Sequence, residues 1–289
     1  MPLLAPKTVL VTGCSAGGIG AALAATLAKQ GHFVIATARN TSKIPAELSS
    51  RPNVQVIPLD VSSTSSVADA AKVVIEGQRG LDVLVNNAGS GYAMPILDID
   101  VEKAKEVYEA NVWGPIRTVQ AFSDLLIKSR GRVVNISTVG SVLPLPWIST
   151  YSASKAAMTL QAEALRFELE PFGVSVVTIM TGIIGSNFHA NDSGAEIKLP
   201  AKSRYSSISD AIAGWATGRS KPPGITAEAF SEQILDDVVG EGKRGVVWRG
   251  PNAGSVKIAK WLIPASMLDN AMRKGQGLEE LERNLSKKG

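Results

Sequence analysis

Short apolar segments alternate with longer segments of helical periodicity over the first 250 residues of the chain. Strands are predicted where β-branched residues cluster, at residues 9–11, 33–38, 54–59, 81–85, 132–137, 174–180 and 245–248. Helices are predicted between them, at residues 21–30, 63–79, 101–128, 151–170 and 226–239, with Gly114 and Pro115 marking an early turn or a kink. This alternation predicts an α/β fold, a doubly wound parallel sheet of about seven strands with helices on both faces.

The first strand ends in a glycine-rich loop. Gly13, Gly17, Gly18 and Gly20 lie between this strand and the first helix. Glycines at such a corner let backbone N–H groups approach a pyrophosphate, and the helix N-terminus adds unpaired donors. The order strand, glycine loop, helix, strand therefore indicates a Rossmann-type dinucleotide-binding unit, with an ordinary tight turn as the alternative.

The end of the second strand distinguishes between dinucleotides. NAD-binding units place Asp or Glu about 20 residues beyond the glycine loop, where the carboxylate binds the ribose hydroxyls. Here the strand ends at Arg39 and Asn40, and the first acid is Glu47. Because a guanidinium suits a 2′-phosphate, the sequence favours NADP(H), unless Arg39 is a solvated surface charge.

Tyr151 and Lys155 are four residues apart on a predicted helix and therefore share one face. A phenol titrates near pH 10 in water, and a nearby ammonium lowers that pKa by stabilising the phenolate. The pair is predicted to pass a proton at neutral pH. The spacing alone also fits two unrelated residues on a solvated helix, so the prediction depends on the surrounding motifs.

No linker or internal repeat divides the chain, so we expect one dinucleotide-binding and catalytic domain over residues 1–250. Residues 187–225 are rich in Ser, Ala, Gly and Pro, with a weak helical pattern at 206–216, and are predicted to form a lid. The tail, residues 251–289, is less regular and mixes apolar residues with lysines and a proline. Three locations are open for the tail: it packs on the domain, forms a subunit contact, or lies in a membrane interface.

Composition restricts the function further. The formal net charge of +4 comes from scattered basic residues, which suits an anionic cofactor and argues against nucleic-acid binding. Cys14 is the only cysteine, and it fits a small loop residue in a reducing compartment better than a reactive thiol. His32 and His189 have no Cys or acidic partner at metal-ligand spacing, so no metal is predicted.

The apolar segments also bear on location and assembly. No run of about 18 apolar residues predicts a spanning helix, and the N-terminus is not read as a signal peptide. We expect a cytoplasmic protein, with peripheral contact to a lipid surface through the tail as a possibility to test. Ala153, Ala156 and Ala157 are small enough for a second helix to pack closely, which favours a homodimer or homotetramer.

Five motifs in this order resemble the short-chain dehydrogenase/reductase family in its single-domain, NADP-dependent form. Residues 12–20 resemble the family's cofactor loop, and residues 86–89, Asn-Asn-Ala-Gly, resemble its motif after the fourth strand. The positions that match the family's catalytic groups are Asn111, Ser137, Thr138, Tyr151 and Lys155. The resemblance extends roughly over residues 7–248.

The resemblance implies an NADP(H)-dependent oxidoreductase that acts on alcohol or carbonyl groups. Tyr151 would be the general acid, Lys155 would also hold the nicotinamide ribose, and Asn111 would position a water linking Lys155 to solvent. The residues implied to bind the cofactor are Gly13, Ser15, Gly18, Ile19, Arg39, Asp60, Asn87, Tyr151, Lys155, Ile184 and Ser186.

The catalytic hydroxyl is left open between Ser137 and Thr138. The family's usual spacing before the tyrosine falls on Thr138, whereas Ser137 fits if the strand end is shifted by one residue. Neighbouring strand residues face opposite sides, so one of the two is expected to point into the site and bind the carbonyl oxygen.

Two further positions depart from the family's pattern. The glycine loop is one residue longer than usual, so Ser15, Ala16 or Gly17 is expected at the phosphates. The motif after the sixth strand, usually Pro-Gly, here reads Thr181-Gly182.

These departures, Arg39 and the apolar tail together resemble the 1-acyldihydroxyacetone-phosphate reductases and fungal carbonyl reductases. This resemblance implies reduction of a ketone or aldehyde on a lipophilic small molecule of secondary or lipid metabolism. The alternatives are NADP-dependent alcohol oxidation and a non-catalytic NADPH-binding sensor, which has no need of a proton relay. Trp147 and Phe188 flank the presumed site and are either substrate-pocket residues or plain core or surface.

Overall fold

The structure, a computed structural model, describes residues 5–188, 198–220 and 222–287. Its strands are β1 Thr8–Val11, β2 Phe33–Ala38, β3 Val54–Pro58, β4 Val83–Asn86, β5 Arg132–Thr138, β6 Ser175–Thr181, β7 Ile184–Gly185, β8 Ile225–Thr226 and β9 Gly245–Arg249. Its α-helices are α1 Ile19–Lys29, α2 Ala46–Ser49, α3 Thr64–Glu76, α4 Val101–Tyr108, α5 Gly114–Ser129, α6 Ser149–Leu169, α7 Ser209–Ala216, α8 Ala227–Val239, α9 Ala253–Leu262, α10 Ala265–Arg273 and α11 Leu278–Ser286. Each of the seven predicted strands is confirmed, with ends shifted by at most two residues.

The main sheet has seven strands in the order β3-β2-β1-β4-β5-β6-β9, and every neighbouring pair is parallel. The strand order reverses between β1 and β4, because the chain crosses back over the sheet after β3. Open α/β sheets bind ligands at such a reversal, outside the carboxyl ends of the strands. The predicted doubly wound fold is confirmed, and it brings the predicted site motifs to one edge of the sheet.

Both faces of the sheet are buried, which explains why the strands read as nearly continuous apolar runs. Val9 and Val11 face a cluster that includes Leu23 of α1 and Phe230 of α8. Leu10, between them, faces the opposite cluster with the side chains of α3 and α5. This alternation follows from the two-residue period of a strand and fixes the register of the site-bearing loops.

The stretch predicted as one or two helices around Asn111 is a continuous helical segment with a defect in its middle. A five-residue π-helical turn, Glu109–Trp113, joins α4 directly to α5. Pro115 lies in the first turn of α5, directly after the π turn, and because proline has no N–H it cannot complete the helical hydrogen bond to the preceding turn. The π turn contains Asn111, so the irregularity falls at a predicted site residue.

The prediction of a less regular tail is wrong, because α9, α10 and α11 fill most of residues 251–289. Pro264 lies directly before α10, and Gly275 and Gly277 adopt positive φ angles before α11. These breaks keep each helix to ten residues or fewer and obscure the helical period in the sequence.

The segment predicted as a lid begins and ends beside the main sheet. β7 pairs with β8 in parallel, so Ile184 lies opposite Ile225 at the base of the insertion. The weak helical pattern at 206–216 corresponds to a 3₁₀ turn, Ser206–Ile208, followed by α7. Residues 189–197 and 221 of the predicted lid, including His189, lie outside the described residues.

Candidate active site

A cavity of about 1460 Å³ opens at the carboxyl ends of the central strands. This exceeds the roughly 300–1,000 Å³ of a typical small-molecule site, so it has room for a dinucleotide and a second molecule. Every predicted cofactor and catalytic residue except Asn111 lines this cavity. The sheet therefore brings together residues from Gly13 to Ser186, as the sequence predicted.

The glycine turn after β1 lies directly against the turn after β4. Gly13 has a φ of +75°, and a Cβ there would lie 2.8 Å from the Ala88 Cα. A Cβ on Gly20 would meet the Asn87 side chain and the Gly13 carbonyl. The Asn87 Nδ2 donates to the carbonyl oxygens of Thr12 and Gly13, at 2.8 and 3.0 Å. Asn87 thus holds the turn in place in addition to lining the cavity.

The longer glycine loop contacts the segment that follows β7 through a hydrogen bond at Gly17. Gly17 has a φ of +69°, and its carbonyl oxygen accepts a hydrogen bond from the Asn187 N–H at 2.8 Å. Of the three residues expected at the phosphates, Ser15 lines the cavity, together with Gly18 and Ile19. Gly18 is the N-cap of α1, with no side-chain cap and no acid in the first turn. The helix N-terminus therefore presents unpaired donors to an anion.

The far end of the cavity is basic. Arg39 and Lys43 are exposed there, and neither side chain has an ion-pair partner among the described residues. Asn40 accepts a hydrogen bond from the Ser42 N–H at 3.0 Å, and this cap turns residues 41–43 back toward the cavity. Sequence reasoning missed Lys43, although the Asn-Thr-Ser turn signal before it was available. Asp60 lies nearby and accepts from the Ser62 N–H at 2.9 Å.

The structure separates the two candidate hydroxyls. The Ser137 Oγ lies 2.8 Å from the Thr159 Oγ1 of α6, and Ser137 is 2% exposed. The Thr138 Oγ1 accepts from the Gly140 N–H at 3.1 Å, and Thr138 is hydrogen-bonded to Tyr151. Both residues border the cavity, but Thr138 is the one paired with the tyrosine. β5 extends through Thr138 without a one-residue shift, which is why the usual spacing identifies the paired residue.

Burial controls the titration of Tyr151 and Lys155. Burial raises the pKa of Tyr151 to about 12, and the hydrogen bond with Thr138 opposes this rise. The direction is opposite to the predicted lowering by Lys155, because burial outweighs every other influence on the phenol. Burial also lowers the pKa of Lys155 to about 8, and its Nζ donates to the Ile136 carbonyl at 3.0 Å. Tyr151 therefore keeps its proton at neutral pH and is available as a donor.

Asn111 lies beside the cavity without lining it. Its Nδ2 donates to the Ser90 carbonyl at 2.9 Å and to the Ser154 Oγ at 3.0 Å, and its Oδ1 accepts from the Ser90 N–H. A Cβ on Gly89 would lie 2.7 Å from this Oδ1 and 3.4 Å from the Lys155 Nζ. Asn111 thus fixes the 89–90 backbone against Lys155, while its role in positioning a water stays a prediction.

The Thr181-Gly182 pair has a structural explanation. The Thr181 Oγ1 donates to the Ser137 carbonyl at 2.7 Å, which ties the ends of β5 and β6 together. The Gly182 N–H donates to the Arg249 carbonyl at 2.8 Å, and a Cβ on Gly182 would overlap the Pro251 carbonyl oxygen. Glycine is therefore required here, and the turn leads Ile184 and Ser186 into the cavity lining.

The remaining lining comes largely from residues outside the sequence motifs. Phe188 lines the cavity with its ring centroid 5.6 Å from that of Tyr151, whereas Trp147 is buried against Tyr205 outside it. Lining residues that sequence reasoning missed include Met94, Leu143, Leu145, Trp215, Val256, Met272 and Gln276. The tail residues among them lie far from any motif, so no local signal identified them.

Cysteine reactivity, metal binding and membrane spanning were also considered in the sequence, and the structure bears on each. Cys14 is fully buried, and burial raises the pKa of its thiol to about 12, so it is unreactive. Within the described residues, no three His, Cys, Asp or Glu side chains form a group suited to a metal ion. No helix in the same part of the chain is long and apolar enough to cross a membrane.

Comparison with known proteins identifies the family. The family profile described as short chain dehydrogenase matches residues 7–196. The chain is 40% identical to the short-chain dehydrogenase PC-15 of Penicillium crustosum, over 89% of this chain and 92% of that one. It is 33% identical to an NADPH-dependent 1-acyldihydroxyacetone phosphate reductase of Schizosaccharomyces pombe, over 93% and 94% of the two chains.

Solved structures agree with this result. A short-chain dehydrogenase from Streptomyces avermitilis is 27% identical, with a TM-score of 0.77 over 97% of this chain and 98% of that one. This chain belongs to the short-chain dehydrogenase family and is an oxidoreductase acting on alcohol or carbonyl groups.

Replacing Lys155 with methionine is expected to raise the free energy of unfolding at pH 7 by up to about 3 kcal/mol. The folded protein lowers the pKa of this lysine from 10.5 to about 8, and each pKa unit corresponds to about 1.4 kcal/mol. The unfolded chain retains the proton up to pH 10.5, so the wild type gains stability as the pH rises from about 8 to 10.5. Urea unfolding at pH 7 and above pH 10.5 measures the difference.

The gap between Lys155→Met and the wild type is expected to close at the higher pH. Lys72→Met, at an exposed lysine of α3, is the control and is expected to give a gap that does not change with pH. A gap for Lys155→Met that is the same at both pH values would contradict the burial of a charged amine at this site.

Proposed function

We propose that this protein uses NADPH to reduce a ketone or aldehyde on a lipophilic small molecule. The proposal rests on one observation above all. Tyr151, hydrogen-bonded to Thr138 and one helical turn from Lys155, lines the same cavity as a glycine turn and an unprotected helix N-terminus. A proton donor beside a dinucleotide cradle is the arrangement that carbonyl reduction requires.

The residues of the cavity fit NADP(H). Gly13 and Gly20 let the turn pack closely against Ala88 and Asn87, since a Cβ at either position would meet these residues. This packing holds Gly13 beside the uncapped N-terminus of α1, where a pyrophosphate would bind. Arg39 and Lys43 would bind a 2′-phosphate, and no acid follows β2 to bind a free ribose hydroxyl. The 33% identical relative that is named as NADPH-dependent supports the same cofactor.

Tyr151 and Lys155 would have different roles in the proton transfer. When bound, NADPH supplies the hydride that adds to the carbonyl carbon. Tyr151, with a pKa near 12, is protonated at neutral pH and would donate its proton to the carbonyl oxygen as that oxygen gains negative charge. Lys155, with a pKa near 8, remains mostly cationic at pH 7 and would stabilise the tyrosinate that is left.

Thr138 would bind the carbonyl oxygen. Its Oγ1 accepts from the Gly140 N–H, and its one hydroxyl proton, which is directed at Tyr151 in this structure, would be donated to the carbonyl oxygen when substrate binds. A donor held in place before reaction stabilises the developing alkoxide without reorganisation. Together the carbonyl gains a hydride at carbon and a proton at oxygen, which yields the alcohol.

The lipophilic substrate is inferred from the remaining lining. Leu143, Leu145, Met94, Trp215 and Met272 give this part of the cavity an apolar wall. Apolar walls with few polar groups are typical of sites for hydrophobic ligands. The relatives from Penicillium and the acyldihydroxyacetone phosphate reductase fit a substrate from secondary or lipid metabolism.

Tyr151→Phe is expected to lower kcat for ketone reduction by about 100-fold or more, since it removes the proton donor. The cofactor should still bind, because the glycine turn is unchanged.

Thr138→Ala is expected to lower kcat by about 100-fold, whereas Ser137→Ala should have a much smaller effect, because Ser137 bonds to Thr159. NADPH oxidation with a panel of lipophilic ketones measures this, and equal losses for the two hydroxyl variants would contradict the assignment.

Arg39→Asp is expected to reverse the cofactor preference. Loss of a charge-assisted hydrogen bond to the 2′-phosphate should raise the KM for NADPH by about 10- to 100-fold and leave NADH less affected. Arg51→Asp is the matched control, because Arg51 is exposed just before β3, at the opposite end of that strand from the cavity. Equal use of NADPH and NADH by the wild type would overturn the cofactor assignment.

Exposed apolar side chains support proposals about assembly and lipid contact. Leu160 and Phe167 of α6 are exposed and would pack in a homodimer or homotetramer, which light scattering tests.

The tail has exposed apolar side chains at Ile258, Leu262 and Met267 and also carries basic residues, which suits an anionic lipid surface. Leu262→Ser with Met267→Ser is expected to reduce co-sedimentation with anionic vesicles. Sedimentation equal to that of the wild type would exclude this contact.

A further inference from the structure

The tail and the predicted lid share a small core of their own above the cavity. Trp147, Ile208 and Ile212 form an apolar cluster separate from the two that flank the sheet. Leu278 and Leu281 of α11 pack against this cluster. The tail is therefore part of the cavity wall, because it is anchored to the insertion and to the loop before α6.

Gln276 is a polar residue beside this apolar cluster. Trp147 donates its Nε1–H to the Gln276 carbonyl oxygen at 3.0 Å, and Trp215 donates its Nε1–H to the side-chain Oε1 at 2.6 Å. Gln276 is 7% exposed and is flanked by Gly275 and Gly277, both at positive φ. Two indoles thus fix both the backbone and the side chain of this one residue.

These contacts also fix which way the carboxamide points. An indole N–H only donates, so the amide atom bonded to Trp215 must be the oxygen. The Gln276 Nε2 then has two N–H donors with no acceptor among the described residues, and Gln276 lines the cavity. The Nε2 is not among the fully buried unpaired side-chain atoms of the described residues, so it is open to the cavity, where an oxygen of a bound molecule would pair it.

We propose that Gln276 is a substrate-binding residue. Its Nε2–H groups donate to a second oxygen of the substrate, distinct from the carbonyl oxygen that Tyr151 and Thr138 bind. The substrate class is a lipophilic ketone or aldehyde with a further oxygen acceptor remote from the reacting carbon. This inference rests on the proposed function, since it concerns the carbonyl compound bound in that same cavity.

The fixed orientation of the Gln276 amide allows it to orient a substrate. Trp215, Met272 and Leu145 contribute shape and hydrophobic contact but little direction. Lys198, Ser220, Asn252 and Lys274 also line the cavity, but Gln276 is the polar side chain whose orientation two indoles fix. A ligand without a matching acceptor would displace water from this fixed donor and leave it unpaired, so a ligand that carries the acceptor is favoured. Gln276 would therefore set which end of a long substrate faces Tyr151.

The test compares two series of probes of equal length. One is the 2-alkanones of about eight to twelve carbons, and the other is the corresponding keto methyl esters, which carry an ester oxygen at the far end. Binding to the protein loaded with NADP⁺ is followed by tryptophan fluorescence, and NADPH oxidation by absorbance. Gln276→Glu retains an acceptor for Trp215 but loses the N–H donors, and Gln276→Met loses both.

The wild type is expected to bind the best keto ester at least about 10-fold more tightly than the matched alkanone, and this preference should fall to about one in Gln276→Glu and Gln276→Met. Gln233→Glu, an exposed position on α8, is the control and should keep the preference. No preference in the wild type, or a preference that survives in Gln276→Glu, would overturn the role of Gln276.

The two proposals fail in different ways. If the wild type oxidises NADPH with none of the ketones, the proposed function fails, whatever the binding preference. If it oxidises NADPH with the ketones but Gln276→Glu leaves the ester preference intact, the function stands and the role of Gln276 fails. Thermal melting of each variant with NADP⁺ confirms that the comparison is made between folded proteins.

Discussion

The contact between the turn after β1 and the turn after β4 is the constraint on which the site depends. The Thr12 Oγ1 accepts from the N–H groups of Asn87 and Ala88, both at 3.0 Å, and Asn87 returns two hydrogen bonds to the carbonyls of Thr12 and Gly13. These bonds join the two strands at the reversal of strand order. Only a glycine fits at position 13, because any Cβ would collide with Ala88.

From this junction the site extends in two directions. Toward β2 and β3 the lining becomes exposed and basic at Arg39 and Lys43, which suits phosphate. Toward β5 and β6 it becomes buried, and the burial shifts the pKa values of Tyr151 and Lys155 toward their neutral forms. One cavity thus combines an exposed basic end with a buried end, and burial determines that Tyr151 holds its proton at neutral pH.

Local patterns predicted the sheet and the part of the lining that carries the motifs, because each motif follows a strand whose apolar run is easily seen. The parallel sheet then brings Gly13, Asn87, Thr138 and Ser186 to one edge with no further information. The choice between Ser137 and Thr138 required the register of β5, since the two hydroxyls differ only in the face they present. The spacing alone kept both candidates. In the structure Ser137 is paired with Thr159 and Thr138 with Tyr151, and Thr138 as the carbonyl-binding hydroxyl is a proposal.

Other features depended on long-range packing and were beyond the sequence. The direction of the pKa shift of Tyr151 depends on how deeply the fold buries the phenol, which the spacing to Lys155 does not reveal. The tail looked irregular because Pro264, Gly275 and Gly277 interrupt its period. Its contribution to the cavity arises from Leu278, which packs on the insertion, and from Gln276 between two indoles.

We propose that one cavity holds NADPH and a lipophilic carbonyl compound side by side. Turnover with NADPH that carries deuterium at both C4 positions tests this directly, with mass spectrometry of the product. We expect an alcohol with one deuterium on the former carbonyl carbon. Tight binding of NADPH with no deuterium transfer to any ketone of the panel would contradict it and would leave a protein that binds the cofactor without using it.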